Sequence, residues 1–387
     1  MRYVKVLVFS FAFVISFPSL SQDEESGIDW MSFNGYLKYM QTLTLVPDTS
    51  LFVDNLLHNR LNFDINNGGA STLKVQFRNR IFYGDNVRNI PGYGELVNQY
   101  DGVLPLEWLI TDNESVVMSV IVDRLFYEYA SEKWQIRLGR QRINWGINTT
   151  WNPNDIFNSY NIYDFDYEER EGSDAIRVQY YPNYNSSVDF AYKFTDSLAT
   201  HVAAIRYNFN KNNYDYQFLA GKFQEKIAVG GGWAGNIKLI GFKGELTYFH
   251  PYTDEGIANV SMSTALDYSW QNGFYLMGTY LLNTSGTNDV TNPSLDVGSV
   301  PTAENLMPSK HNAMANASYQ LSPIMFINMG VVYGFGINSL VVFPTYTINL
   351  KSNFDLDIIG QVFFQELPEE SIQNLGNGIF GRLKWSF

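Results

Sequence analysis

The chain has 387 residues, with 39 acidic against 26 basic side chains, a formal charge of −13 and no cysteine. That balance argues against a nucleic-acid partner, whose phosphates need a basic face, and the missing thiols exclude a disulfide scaffold and thiolate metal sites. Aromatic residues reach 16% beside only 17% charged ones. No segment beyond the N-terminus has the roughly 18 consecutive apolar residues of a spanning helix, which leaves an all-β outer-membrane barrel or a large secreted sandwich or propeller.

In chain order, residues 1–21 come first. Arg2 and Lys5 precede an apolar run over 6–17, and Ser19 and Ser21 occupy the minus-three and minus-one positions of a cleavage site. This is the composition of a secretory signal peptide cut after Ser21, its apolar run being too short for the ~20 residues of a membrane anchor. The mature chain, 22–387, is expected to form one domain.

From Met31 onward, apolar side chains recur at every second position, the period of a strand. Residues 56–66 set Leu61, Phe63 and Ile65 on one face and His58, Arg60, Asn62 and Asp64 on the other. Residues 71–83 oppose Leu73, Val75, Phe77 and Ile81 to Lys74, Gln76, Arg78 and Arg80. Similar segments cover 31–45, 116–129, 134–142, 175–181, 187–194, 201–209, 214–223, 227–234, 237–249, 259–270, 273–283, 311–321, 324–335, 339–350, 353–365 and 377–387. The expected fold is therefore an all-β, transmembrane, antiparallel up-and-down barrel of about 18 strands, or 16 if 214–234 divides differently.

The connections alternate in length. Short turns rich in Gly, Asn, Pro or Ser are expected at 67–70, 130–133, 182–186, 210–213, 235–236, 271–273, 321–323 and 351–353. The long connections, 84–115, 143–172, 251–258, 284–310 and 366–375, all fall in the other set. A barrel with periplasmic turns and external loops has this segregation, and a sandwich has no reason for it.

The chain ends on GIFGRLKWSF, an amphipathic strand closing on Phe387. This resembles the terminal strand of Gram-negative outer-membrane barrels, and the resemblance implies that Phe387 is part of the signal read by the barrel-assembly machinery. The stretch LGRQRINWG with the following WNPNDIFN resembles porin-like and alginate-export barrels over about a tenth of the chain, and implies that class without naming a solute.

Strand parity turns Arg60, Lys74, Arg78, Arg80, Arg124, Arg137 and Arg177 inward as one basic wall, while Arg140 and Arg142 break parity and are expected above the lipid band or beyond a bulge. The 143–172 loop carries Asp155, Asp164, Asp166, Glu168, Glu169 and Glu171. Its apolar residues Trp145, Trp151, Ile156, Phe157 and Phe165 would be poorly placed in a solvated loop, so it is expected to fold into the lumen and set its carboxylates against the basic wall. The 84–115 loop, with Tyr93, Tyr100, Leu104, Leu106 and Trp108, is a second candidate for the same reason. A charge run that merely hydrates the surface is the alternative reading for the acidic residues.

Other chemistry finds little support. The acidic spacing matches no EF-hand, and no other metal or cofactor site is implied. His58, His201, His250 and His311 are scattered, without a nucleophile and an orienting partner. The GGGW run at 230–233 lacks the helix a phosphate loop needs, and reads as glycines that let a strand bend. The expected function is passive diffusion of small hydrophilic solutes through an outer-membrane channel, with membrane lipid as surroundings. A non-conducting barrel for attachment, binding or secretion is the alternative, and a barrel hydrolase a more distant one. A monomer and a homo-oligomer are both compatible with the sequence.

Overall fold

The computed structural model describes residues 30–47, 51–66, 68–98, 100, 102–159, 161–164, 166, 170–290, 301–368 and 371–387. The expected signal, 1–21, lies outside the described residues, as do Phe165, Glu168 and Glu169. The period-2 segments become strands β1 (Met31–Leu45), β2 (Leu51–Asn66), β3 (Ser71–Gly84), β4 (Glu107–Asp112), β5 (Val117–Ala130), β6 (Trp134–Gln141), β7 (Ser173–Asn183), β8 (Ser186–Lys193), β9 (Val202–Lys211) and β10 (Tyr214–Phe223). They continue as β11 (Lys226–Ile237), β12 (Ile240–Pro251), β13 (Asn259–Ser269), β14 (Tyr275–Asn283), β15 (His311–Ser322), β16 (Met325–Phe335), β17 (Ser339–Lys351), β18 (Phe354–Glu366) and β19 (Ile372–Ser386). Eighteen of these, all but β4, pair antiparallel with their neighbours, and β1 pairs with both β2 and β19 to close the barrel. The closing seam ends at Phe387, which exchanges two backbone hydrogen bonds of 2.9 Å with Gly35.

The outer face is apolar and the inner face polar, the reverse of a soluble domain. Leu138, Phe218, Ile205 and Leu266 are exposed outside, whereas Asp123, Asp189, Glu245 and Ser263 are fully buried inside. In lipid, closure is what pairs every strand edge, since no water is present to satisfy unpaired backbone groups.

Seven of the eight expected short turns fall where composition puts them. Asn212 and Asn213 take φ of 54° and 61° between β9 and β10, the left-handed pair of a two-residue hairpin. The exception is 235–236. Gly235 and Asn236 are inside β11, and the chain turns at Lys238 and Leu239, with Lys238 at φ 59°. Gly235 is a packing glycine: a Cβ there would stand 2.3 Å from the Tyr214 ring. The 84–115 connection also holds more structure than a plain loop, namely two helical turns, α1 (Asp85–Asn89) and α2 (Tyr93–Val97), and β4.

Candidate pore constriction

The central feature is where β6 ends. Gly139 takes φ 118°, and a Cβ there would stand 2.3 Å from Leu125 O, so only glycine makes this turn without strain. Past it, Arg140 and Gln141 are both fully buried, and the chain leaves the wall for the lumen. Above this point β5 pairs with β4 instead of β6. Arg140 rivets the fork: Nε donates to Asp174 Oδ1 at 2.8 Å, Nη2 to Leu104 O at 2.6 Å, Nη1 to Glu107, and the Tyr100 ring lies 3.8 Å from the guanidinium. The parity break at Arg140 is thus a distortion at Gly139.

The first half of the loop lies along β7 to β13. Its seat is a run of small inward residues: Ala175, Ala191, Ala204 and Ala228 are buried against Ile143, Trp145, Ile156 and Phe157. Gly230 and Gly232 extend the seat, since added Cβ atoms would stand 2.8 Å from Asn154 Oδ1 and 3.0 Å from Ile147 Cδ1 respectively. Gly230 and Gly232 of the GGGW run therefore make room for the loop, whereas Gly231, where a Cβ would stand 3.3 Å from the Phe218 ring, lies on the other face.

Trp145 is fixed from several sides. Its indole Nε1 donates to Asp189 Oδ2 at 3.0 Å, its N–H donates to Asp155 Oδ1 at 3.1 Å, its carbonyl accepts from Gln217 Nε2 at 2.8 Å, and the Phe157 ring meets it edge-on at 4.9 Å. Three loop N–H groups then converge on one wall carboxylate, Glu245. Asn154 N donates to Oε2 at 3.0 Å, and Ile147 N and Asn148 N both donate to Oε1. Thr247 donates to Pro153 O at 2.9 Å, and Ser263 donates to Trp151 O at 2.8 Å. Trp151 itself is buried with Tyr163, Leu281, Leu306, Met307, Val332 and Val341.

The second half crosses toward β18, β19 and β1. Gln361 Nε2 donates to Tyr163 O at 2.7 Å, and Asp166 Oδ1 pairs with Lys38 Nζ at 2.7 Å and Arg382 Nη1 at 3.7 Å, with His58 Nδ1 3.8 Å from Oδ2. Burial alone would raise the Asp166 carboxyl, but His58 and Lys38 outweigh it and hold the group down at about 2. Asp155 goes the other way: burial pushes it up to about 6, although the Trp145 N–H and Arg170, at 3.2 Å, favour its charged form. Burial also raises Asp164, helped by the charge of Asp166, and raises Glu171.

Among the described residues, the wall arginines find their carboxylate partners mostly on the wall. Arg60 and Arg78 share Asp123 at 2.6 and 2.8 Å, Arg177 pairs with Asp189 at 2.5 Å, Lys74 with Asp64 at 2.9 Å, and Arg137 with Glu128. Arg124 donates to Asp123 O at 2.7 Å and to Arg170 O, and Arg80 to Val97 O at 2.5 Å. Of the described loop carboxylates, Asp155 meets Arg170 of the loop itself and Asp166 meets Lys38, His58 and Arg382, while Asp164 and Glu171 lie in the field of the wall residues Arg78 and Arg80.

Two further loops turn inward. Val87, Tyr93, Val97 and Leu109 pack on Met40, Leu56, Phe82 and Val117, while Leu104 and Trp108 stay exposed. From 301–310, Ala303, Leu306 and Met307 enter the same cores as the central loop, and Glu304 pairs with Lys226. Below the docked loop lies a cavity of about 510 Å³ with Ser187, Arg206, Asn208, Asn210, Asp215 and Gln217 on its lining.

Glu245, Asp189, Lys38 and Arg382 were not singled out from sequence. The signal that could have found the seat is the inward series Ala175, Ala191, Ala204, Ala228 and Gly230, too small to fill a lumen and so in need of something to fill it.

A closed antiparallel barrel of 18 strands, polar inside and narrowed by an inward third external loop, has the fold of the Gram-negative outer-membrane porins. Among solved structures it is similar to OccAB4 of Acinetobacter baumannii, at 9% identity and TM-score 0.58, covering 95% of this chain and 100% of that one. It is also similar to OccK8 (OprE) of Pseudomonas aeruginosa, at 9% identity and TM-score 0.58 over 93% and 98% of the two chains. A third, OccK11 (OpdR) of the same organism, has 10% identity and TM-score 0.56 over 92% and 96%. No family model matches the chain, and no curated protein matches it by sequence.

Proposed function

We propose that the protein is an outer-membrane channel for passive diffusion of small hydrophilic solutes, which cross between the docked 143–172 loop and the basic inner wall of β19 to β3. The observation that carries this reading is the anchoring of the loop across the lumen by Glu245, Trp145 and Asp166 at three separated points of the wall. A loop held so firmly inside a polar barrel sorts solutes by size and charge, the arrangement of a selectivity eyelet. Export by the signal at 1–21 and insertion guided by Phe387 belong to the same reading. Catalysis has no support from the histidines: each lies beside a tyrosine hydroxyl, Tyr36, Tyr192, Tyr248 or Tyr280, and among the described residues none bonds a serine or threonine hydroxyl.

The test is single-channel conductance of the refolded mature chain in planar bilayers, with reversal potentials under a salt gradient. Discrete steps are expected, and the double variant of Lys38→Gln with Lys384→Gln, the latter on β19 with its ammonium 4.8 Å from the Tyr36 ring, is expected to move the reversal potential toward cation preference. A sealed bilayer containing heat-modifiable, folded barrel would overturn the channel and favour a plugged barrel for binding or secretion, a reading to which the three inward loops give some weight.

A further inference from the structure

Beneath the docked loop, the register of three strands builds a polar pocket. Ile205 and Tyr207 are exposed outside, so Arg206, Asn208 and Asn210 of β9 face the lumen. Ser187 of β8 and Gln217 of β10 lie opposite Asn208, Asp189 lies opposite Arg206, and Asp215 lies opposite Asn210. Gly146 and Ile147 of the loop close the top, and the exposed Tyr181 and Tyr184 also line the cavity of about 510 Å³. Small-molecule sites run from about 300 to 1,000 Å³, and this one falls among them. The short turns at 182–186 and 210–213 lie below it, which sets it on the periplasmic side of the constriction.

Much of the hydrogen-bonding capacity here is unspent among the described residues. Asn208 Nδ2 donates to Ser187 Oγ at 3.3 Å, while Asn208 Oδ1 accepts from no described residue. Gln217 Nε2 donates to Trp145 O at 2.8 Å and Asn210 Nδ2 to Asp215 Oδ1 at 2.8 Å, with Gln217 Oε1 and Asp215 Oδ2 accepting from no described residue. Arg206 gives Nη2 to Asp189 Oδ2 at 3.0 Å, the Trp145 ring lies 5.1 Å from its guanidinium, and Nη1 meets no described acceptor. The charges cancel. Asp189 serves both Arg177 and Arg206, and Asp215 offsets the one positive charge left over.

We propose that this pocket is an exit-side subsite for a neutral sugar of one or two rings. It deepens the channel reading and rests on it for the route by which the solute arrives. A set of groups whose charges cancel gives a lone anion or cation no preference. Arg206 and Asp215 stand about 13 Å apart along the strands, too far for the ammonium and carboxylate of one α-amino acid to meet both. Between them lie carboxamides and a hydroxyl, groups that donate and accept together, as a sugar hydroxyl does. Tyr181 and Tyr184 supply apolar ring faces for the C–H groups of a pyranose. The constriction sorts by size and charge, and the pocket past it retains by hydroxyl pattern.

The probe is maltose, a neutral disaccharide, titrated against the refolded mature chain in detergent and followed by saturation-transfer NMR. Saturable binding is expected, and it should be about tenfold weaker in Asn208→Leu, which removes a carboxamide and fills the space. Heat-modifiable migration shows that the variant is folded. The chain has no cysteine, so Ser187→Cys reports the location: maltose should slow its modification by a thiol reagent, and acetate and glycine should not. Absence of saturable maltose binding by the folded chain would overturn the proposal. So would equal affinity in folded Asn208→Leu, or protection of Ser187→Cys by acetate or glycine but not by maltose. None of these measurements needs conduction, so a sealed bilayer would remove the channel and leave the subsite standing.

Discussion

Glu245 is a single wall residue on which the position of the constriction loop depends. It is fully buried and accepts from the backbone N–H groups of Ile147, Asn148 and Asn154. Replacing it by alanine strands those three donors. A hydrogen bond contributes about 0.5–1.5 kcal/mol net, so the loss of three amounts to about 3 kcal/mol. At 1.4 kcal/mol per tenfold, that is a shift of roughly a hundredfold toward the undocked loop. Glu245→Ala should therefore show larger or flickering single-channel steps than the parent, and faster cleavage within 143–172 by an externally added protease, with the barrel itself unaltered. Glu245→Gln, which keeps one acceptor oxygen, should fall between. Unchanged conductance together with unchanged cleavage in Glu245→Ala would refute the idea that this carboxylate holds the loop.

Gly230→Val should displace the loop from the other side, because even a Cβ there would stand 2.8 Å from Asn154 Oδ1 of the loop and 2.6 Å from Thr247 Oγ1, which donates to Pro153 O; protease sensitivity like that of Glu245→Ala, not additive with it, is the expected result. Acidification should tighten docking. The docked loop holds Asp155 at about 6 against an ordinary 3.8, so the docked state binds the extra proton, and docking weakens as pH rises from about 4 to 6. The Asp166 contribution has the opposite sign, being present above 3.8 and lost as pH falls through about 2, so it does not change between pH 7 and 5. Loop cleavage should slow from pH 7 to 5 in the parent, and less so in Asp155→Asn, where Asp164 and Glu171, also raised by burial, still contribute.

The strands were readable because a barrel wall separates lipid from water residue by residue, so each face writes its own period-2 pattern. Leu138 beside Arg137 is such a pair. The alternation of long and short connections was readable for the same reason, since only one side tolerates bulk. What composition hid was glycine used for packing. Gly235 and Asn236 look like a turn, yet the glycine seats the Tyr214 ring and the turn falls on Lys238 and Leu239, which carry no turn signature. Likewise β4 is six residues long, too short for its period to stand out within 84–115. The inward fold of the 143–172 loop was inferable from its tryptophans, but its anchors were not. Glu245 on an inward face looks like any lumen acid until the loop backbone is seen to wrap it, and the pairing of Asp166 with Lys38 joins residues 128 positions apart.

The fork at Arg140 joins two loops that sequence treats as separate. Because β6 departs early to feed the lumen, its place beside the upper part of β5 is taken by β4, a strand borrowed from the preceding external connection. The patch is held by Arg140 through Glu107 on one side and Asp174 on the other. Trimming the 84–115 segment to enlarge the mouth would therefore unzip a seam in the wall, and excising 143–172 to empty the lumen would take away the peeling of β6 that gives the borrowed strand its berth. In engineering terms the two loops form one replaceable cassette, to be exchanged together or not at all.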